Sequence, residues 1–418
     1  MFQAYRICVV VTGLAVSPAM ASAAEPFRIS LSVSPFTESV LDRKVVFQDG
    51  DVQARTTAEV QKMMVAHGAN EVYARIGTLR TFQPGNGDHS VNRGLERARM
   101  AKELGLPFNP EIGLFRSYGD ITHQPAPDFQ DYPQLAIPGP WSSLTVDQMV
   151  PVLREYGALV AREILDTGVE VRIWDLGNEV EFGVAGVAPS SRFFGQRSKY
   201  QPPDAVDPEI GKMSVEQLSK MPEAKKIEWL QAHIWPHIAR LFAATAEGIR
   251  SVNPKARFST HVSGAAAVLP SLSTEFFLAM RKGGFDSDEL GFSFYPTSSR
   301  QPSDRMQAFK EAATRAHREL QRPVFIAEFG YPSAQMTTGF IWNSAAEGYP
   351  QDPDGQARYL RDLTEWGLKS GVLSGVRPWA PDLVFGWGPM SFFSVKGNIA
   401  EARPGLDAIR QGWLAGQK

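Results

Sequence analysis

Two short segments of this 418-residue chain could carry chemistry: Trp174-Asp175-Leu176-Gly177-Asn178-Glu179 and Phe325-Ile326-Ala327-Glu328-Phe329-Gly330. Each is an apolar run that reads as a buried strand and delivers a glutamate at its end. A β/α barrel gathers reactive groups at the C-terminal ends of its strands, so both carboxylates would reach one face of such a fold. A carboxylate pair in that position suits glycosidic-bond cleavage, in which one acid handles the proton of the leaving oxygen and the other attacks the anomeric carbon or activates water.

Strand alternation sharpens the reading. Side chains two apart share a face, so Asp175, Gly177 and Glu179 form one set and Val324, Ile326 and Glu328 another. With both sets inward, both glutamates rise into the barrel mouth. Tyr73, Arg75 and Gly77 form a comparable set on the second strand, which puts Arg75 below that mouth. An arginine there would hold a neighbouring carboxylate ionised, as a nucleophile requires. Glu328 is therefore assigned as nucleophile and Glu179 as acid/base, the alternative for both being a structural ion pair at the barrel rim. Asn178 either bonds a sugar hydroxyl beside the reacting carbon or closes the strand as a turn residue.

The elements that must position these groups alternate along the chain as in a parallel sheet with crossover helices. Strands are expected near Arg28–Val33, Glu71–Ile76, Phe108–Leu114, Val169–Leu176, Ala256–His261, Leu290–Phe294, Val324–Ala327 and Gly375–Trp379. Helices are expected near Val52–His67, Asn92–Leu104, Val146–Asp166, Ile227–Ser251, Ser271–Lys282, Asp304–Leu320 and Gly355–Lys369, with one more after Pro404. Eight such units close a (β/α)8 TIM barrel of the α/β class. Two connections are unusually long, Arg116–Thr145 after the third strand and Val180–Lys226 after the fourth, and both would overhang the active face. The second contains Gln201-Pro202-Pro203, readable as part of a lid or a partner contact.

At the N-terminus, Arg6 precedes an apolar stretch from Ile7 to Val16 and then the small residues Ser17 to Ala24. The stretch is short of the roughly 20 residues that span a bilayer, and the pattern resembles a cleavable signal peptide. Residues 1–24 are expected to be removed, leaving 25–418 as one exported catalytic domain in the periplasm or outside the cell. The only cysteine, Cys8, lies inside that stretch, so the mature chain has neither a disulfide nor a thiolate site. A net charge of -2, without a lysine- or arginine-rich block, gives no electrostatic footprint for nucleic acid or, once the signal is removed, for a membrane. No phosphate cradle follows a strand and no His/Glu cluster has zinc spacing, so no cofactor or metal is expected. Asp352-Pro353-Asp354-Gly355 lacks calcium-ligand spacing and reads as a turn or helix cap.

Gly177-Asn178-Glu179 and Ala327-Glu328-Phe329-Gly330-Tyr331-Pro332 resemble the acid/base and nucleophile signatures of the large clan of retaining hydrolases built on (β/α)8 barrels. Within that clan the chain is most similar to glycoside hydrolase family 53, the endo-β-1,4-galactanases. Further parallels are Arg75 after Val72-Tyr73-Ala74, Trp235-Pro236 opening the long helix, Phe258 to Gly264 with His261, Ser293-Phe294-Tyr295-Pro296, and Ser391 to Asn398 near the C-terminus. The family's third strand ends in Asp-Phe-His-Tyr-Ser-Asp, whereas this chain has Ile112 to Asp120, with only Tyr118 and Asp120 matching. The resemblance implies a barrel glycosidase acting on a polysaccharide, with Asp120 in the sugar pocket. The departure leaves open galactan or another polysaccharide, such as a bacterial exopolysaccharide.

Other residues carry their own chemistry. His261 could bond a sugar hydroxyl or the acid/base, or serve as a hydrogen-bonded core histidine. Tyr295 could bond the nucleophile. Trp379, ending the eighth strand, and Trp387, in the loop beyond it, offer flat faces to sugar rings. The functional expectation is an exported retaining β-glycosidase, endo-acting, with no cofactor. A non-catalytic carbohydrate-binding barrel and a transglycosylase are the alternatives, and oligomeric state is left open.

Overall fold

A computed structural model describes residues 26–82, 87–191, 204–299 and 302–418. The expected signal segment and Gln201-Pro202-Pro203 lie outside the described residues. Twelve strands occur among those described. Eight, β1 (Arg28–Ile29), β4 (Val72–Ile76), β5 (Phe108–Ile112), β6 (Trp174–Leu176), β7 (Phe258–Val262), β8 (Glu289–Phe294), β9 (Val324–Phe329) and β10 (Leu373–Pro378), form one parallel sheet ordered β1-β10-β9-β8-β7-β6-β5-β4. This is sequence order around a ring. The seam between β1 and β4 is bridged by the Asn70 N–H on Ile29 O at 3.1 Å, the Asn70 side chain on both Ile29 N and Phe27 O, and Ser32 Oγ accepting from Tyr73 N at 3.0 Å. With helices between successive strands, the chain is the expected (β/α)8 barrel.

The remaining strands, β2 (Val46–Asp49), β3 (Val52–Ala54), β11 (Phe393–Lys396) and β12 (Ile399–Ala402), form a second sheet ordered β11-β12-β2-β3, which was not expected. It joins residues after the first barrel strand to residues after the last, with Phe47 edge-on to Phe393 at 4.9 Å. The helix expected from Val52 therefore begins later, at Thr57. Thr56 and Glu59 close a reciprocal capping box there, and Val52–Ala54 pair as β3. The helix expected over Ile227–Ser251 is two helices, Glu223–His233 and Trp235–Val252, broken at Ile234. Pro236 lacks the N–H that a continuous helix would need and fits instead the first turn of the second one. Asp352 caps the helix Pro353–Ser370 through Gly355 N. No helix among the described residues is long and apolar enough to cross a membrane.

The barrel interior is polar, and its charges are neutralised in pairs. Arg28 donates to Glu71 at 2.8 and 2.9 Å and to Asn109 at 2.9 Å. Arg377 donates to Asn109 at 2.9 Å, Asp175 at 2.8 Å and Glu111 at 3.1 Å. Glu111 lies two residues beyond Asn109 on β5, hence one layer nearer the C-terminal mouth, and there it accepts from Arg75. A chain of buried ion pairs thus leads from the interior of the barrel to Glu328, each charge in it compensated as burial demands.

Candidate active site

Glu328 is the fifth residue of β9, and alternation from Val324 does not bring it inward as expected. Phe325 faces the barrel interior, its ring 4.1 Å from the Arg28 guanidinium and 5.4 Å from that of Arg377, while Val324 and Ile326 pack in the apolar layer. Pairing with β8 runs Phe292 to Ile326 and then Ser293 to Glu328, so β9 carries one extra residue at this point. That bulge reverses the alternation and turns Glu328 into the mouth.

Glu179 also arrives by a different route. β6 ends at Leu176; Asp175 faces inward, bonded to Arg377 and Ser259. Gly177 has φ 72°, and a Cβ there would lie 2.4 Å from Val180 Cγ1, so only glycine fits the bend. Glu179 itself has φ 49°, a left-handed conformation costing on the order of 1 kcal/mol or more for a residue with a side chain. The turn is held by Gly177 N on Ile112 O (2.8 Å), Val180 N on His261 O (3.2 Å) and Gln124 Nε2 on Asn178 O (2.6 Å). A tight turn, not the pleat of the strand, delivers this glutamate.

Both carboxylates line one cavity of about 320 Å³ at the barrel mouth. Glu328 is buried: Arg75 Nη2 donates to its Oε1, and the Tyr295 hydroxyl donates to its Oε2 at 2.9 Å. Burial and the Glu328 charge hold the Tyr295 phenol well above its usual range, so it stays a donor. Glu179 keeps part of its surface open to the cavity, its one backbone donor among the described residues being Ile121 N at 3.4 Å. Burial of its carboxyl, then the charges of Glu328, Asp120 and Glu181, push its pKa well above the ordinary glutamate value. The two acids sit in one hollow with opposite support, one held by donors and one steered toward its protonated form.

The other expected residues divide into a buried frame and a lining. Arg75, Asn178 and His261 form the frame and do not line the cavity. Asn178 Oδ1 accepts from Arg75 Nη2 at 2.8 Å and from His261 Nε2 at 2.7 Å, while Asn178 Nδ2 donates to Gly119 O at 2.7 Å. Burial, reinforced by Arg377 and Arg75 against the pull of Glu328, pushes the His261 pKa down to about 3, so the ring is neutral and acts as a donor. Asp120, Tyr295, Trp379 and Trp387 line the cavity. Asp120 accepts from Tyr118 OH at 3.0 Å and Thr122 N at 2.8 Å, which fixes the loop after β5. Trp379 covers the Arg75 guanidinium at 4.4 Å.

Sequence reasoning missed Phe36, Phe340, Trp342 and Leu383, all of which line the cavity. Phe340 and Trp342 stack at 4.9 Å, and Trp342 meets Trp387 edge-on at 5.4 Å, giving one end of the cavity an aromatic wall. Their signal was an aromatic pair, Phe340-Ile341-Trp342, in the nonperiodic stretch downstream of the nucleophile strand. Among the described residues no group of three or more His, Cys, Asp or Glu is placed to hold a metal ion.

The comparisons agree with this architecture. The chain is 21% identical over 403 residues to an uncharacterized protein of Niallia circulans, covering 92% of this chain and 94% of that one. It is 20% identical over 322 residues to the arabinogalactan endo-β-1,4-galactanase of Humicola insolens, covering 76% and 78% respectively. The fold superposes on the GH53 catalytic domain of Ignisphaera aggregans with a TM-score of 0.67, at 16% identity, covering 94% of this chain and 98% of that domain. Residues 44–387 match the model of glycosyl hydrolase family 53. The protein is a glycoside hydrolase, and the chain belongs to glycosyl hydrolase family 53.

Proposed function

We propose that the protein is an exported, retaining endo-glycosidase that cleaves β-1,4-linked galactan or a related polysaccharide, with Glu328 as nucleophile and Glu179 as acid/base. The observation that carries this reading is the asymmetry between the two acids. Glu328 receives a donor on each oxygen, the partners a buried carboxylate anion requires, whereas burial and neighbouring charge favour the protonated form of Glu179. In the first step Glu328 attacks the anomeric carbon while Glu179 gives its proton to the leaving oxygen. In the second, Glu179 takes a proton from water, which displaces Glu328. Arg75 and Tyr295 hold the nucleophile, Asn178 is fixed between Arg75 and His261 beside it, and the aromatic wall supplies faces for sugar rings.

Galactan is supported by the family and by the galactanase relative, and the loop after β5, where the sequence departs from the family motif, is where a change of sugar would register. Export is supported by the signal-like N-terminus, with residues 25–418 as one catalytic domain. Incubating wild type and Glu328→Gln with galactan, arabinogalactan, xylan and a bacterial exopolysaccharide, with products sized and their anomeric configuration followed by NMR, tests the reading. Oligosaccharides released by wild type with retained configuration and absent from the variant are expected. Equal activity in both would remove Glu328 as nucleophile. Inverted products would remove the double displacement, and products longer than the substrate would indicate transfer to sugar in place of water. N-terminal sequencing of the exported protein checks cleavage after Ala23 or Ala24.

A further inference from the structure

Glu181 is fully buried and enters the chemistry above only as a charge near Glu179. Its carboxylate accepts two hydrogen bonds from one residue, Ser263, through the backbone N–H at 3.0 Å and through the hydroxyl. Its own carbonyl accepts from Trp235 Nε1 at 2.9 Å. Both ends of the residue are therefore tied, one to the segment after β7 and the other to the start of the long helix. Ser263, Gly264 and Ala265 line the cavity, so the Glu181–Ser263 pair joins the turn that presents Glu179 to the part of the wall formed by the segment after β7. Glu179 needs such a tie, because its left-handed backbone is uncommon for a residue with a side chain and lasts only where the surroundings enforce it. A buried carboxylate with two donors from a single residue is a specific clasp whose loss frees two polar groups at once.

Building on the assignment of Glu179 as acid/base, we infer that Glu181 is a positioning residue, whose clasp on Ser263 fixes the acid/base glutamate at the height from which it can protonate the leaving oxygen. Dependence on the leaving group tests this, read as kcat/KM, which reports the first chemical step. Dinitrophenolate departs without a proton, whereas phenolate needs one. Wild type, Glu179→Ala, Glu181→Ala, Glu181→Gln and Ser263→Ala are assayed on phenyl and dinitrophenyl β-galactobiosides.

Glu179→Ala is expected to lose activity on the phenyl substrate alone. Glu181→Ala should repeat that pattern at roughly tenfold or more, a part of the total worth of a positioned acid. Ser263→Ala should do so more weakly, and Glu181→Gln, whose one oxygen still accepts from Ser263 N while its amide nitrogen donates to the Ser263 hydroxyl oxygen, should lose less than Glu181→Ala below the alkaline limb, which the lost charge should move to the acid side. A comparable loss on both substrates in Glu181→Ala and Ser263→Ala, or no loss in either, overturns the inference while leaving Glu179 in place. A Glu179→Ala variant that loses both substrates equally overturns instead the acid/base assignment beneath it. If Glu181→Ala does not fold, Ser263→Ala decides alone.

Discussion

Arg75 donates to Glu328 Oε1 from the same nitrogen that donates to Asn178 Oδ1 at 2.8 Å, while its Nε donates to Glu111 and its guanidinium lies 4.4 Å below the Trp379 ring. One planar cation thus serves three acceptors and an aromatic face. A lysine keeps the charge but offers a single compact ammonium that cannot reproduce this fork. Arg75→Lys is expected to reduce kcat about 10²-fold, the cost of a slightly misplaced reacting group, with a smaller change in KM. Arg75→Ala strands the buried Glu328 carboxylate and should lower stability by about 3–5 kcal/mol in denaturant unfolding.

Glu179 gives a prediction about stability. Its folded-state pKa lies above its unfolded value, so between the two the native protein binds more protons than the unfolded chain, and stability falls as pH rises through that interval. Glu179→Gln removes the titration. The variant should melt above wild type, with an advantage that is absent well below the unfolded glutamate pKa of roughly 4.3, grows as pH rises and levels off past the folded pKa. Activity on galactan should fall by about 10²–10⁴-fold, the worth of a positioned proton donor. A variant no more stable than wild type at any pH would show that Glu179 is not under this electrostatic pressure.

Asp120 is among the charges that hold Glu179 toward its protonated form. Asp120→Asn removes that charge; its one oxygen can still accept from Thr122 N, and its amide nitrogen, in place of the oxygen that Tyr118 bonds, can donate to the Tyr118 hydroxyl oxygen. The acid/base should then lose its proton at lower pH, and the alkaline limb of the kcat/KM profile should move to the acid side. An unmoved alkaline limb in a variant that still folds and turns over would separate Asp120 from the electrostatics of the acid.

The barrel was legible because β4 to β10 are apolar runs placed between amphipathic segments, a pattern that local sequence carries. Orientation within the strands was not. Expecting Glu328 and Glu179 in one mouth was a reading of strand ends, but the bulge at Ala327 and the left-handed turn at Gly177 that place them there are set by pairing partners distant in sequence. Arg28, Glu71, Glu111 and Arg377 escaped notice because a charged residue inside an apolar run reads as an exception until its counter-charge on another strand is known. The strands of the second sheet, three or four residues each, are at or below the shortest length at which alternation can be recognised.

Trp342 illustrates what lay furthest from sequence reasoning, since no periodicity marks the loop that carries it. It keeps part of its surface exposed at the cavity, stacks on Phe340 at 4.9 Å and leans on the Tyr295 ring at 4.9 Å. An indole braced by neighbouring rings presents its face without losing much side-chain freedom on binding, which is what a sugar platform needs. Trp342→Ala is expected to raise KM for polysaccharide roughly tenfold, about 1.4 kcal/mol of lost binding, while a short aryl glycoside confined to the catalytic acids is nearly unaffected. Trp342→Phe should recover most of the loss. If Trp342→Ala lowers kcat on both substrates equally, the ring acts through Tyr295 on the nucleophile and not as a platform. The comparison of long and short substrates therefore separates binding along the cleft from support of the chemistry.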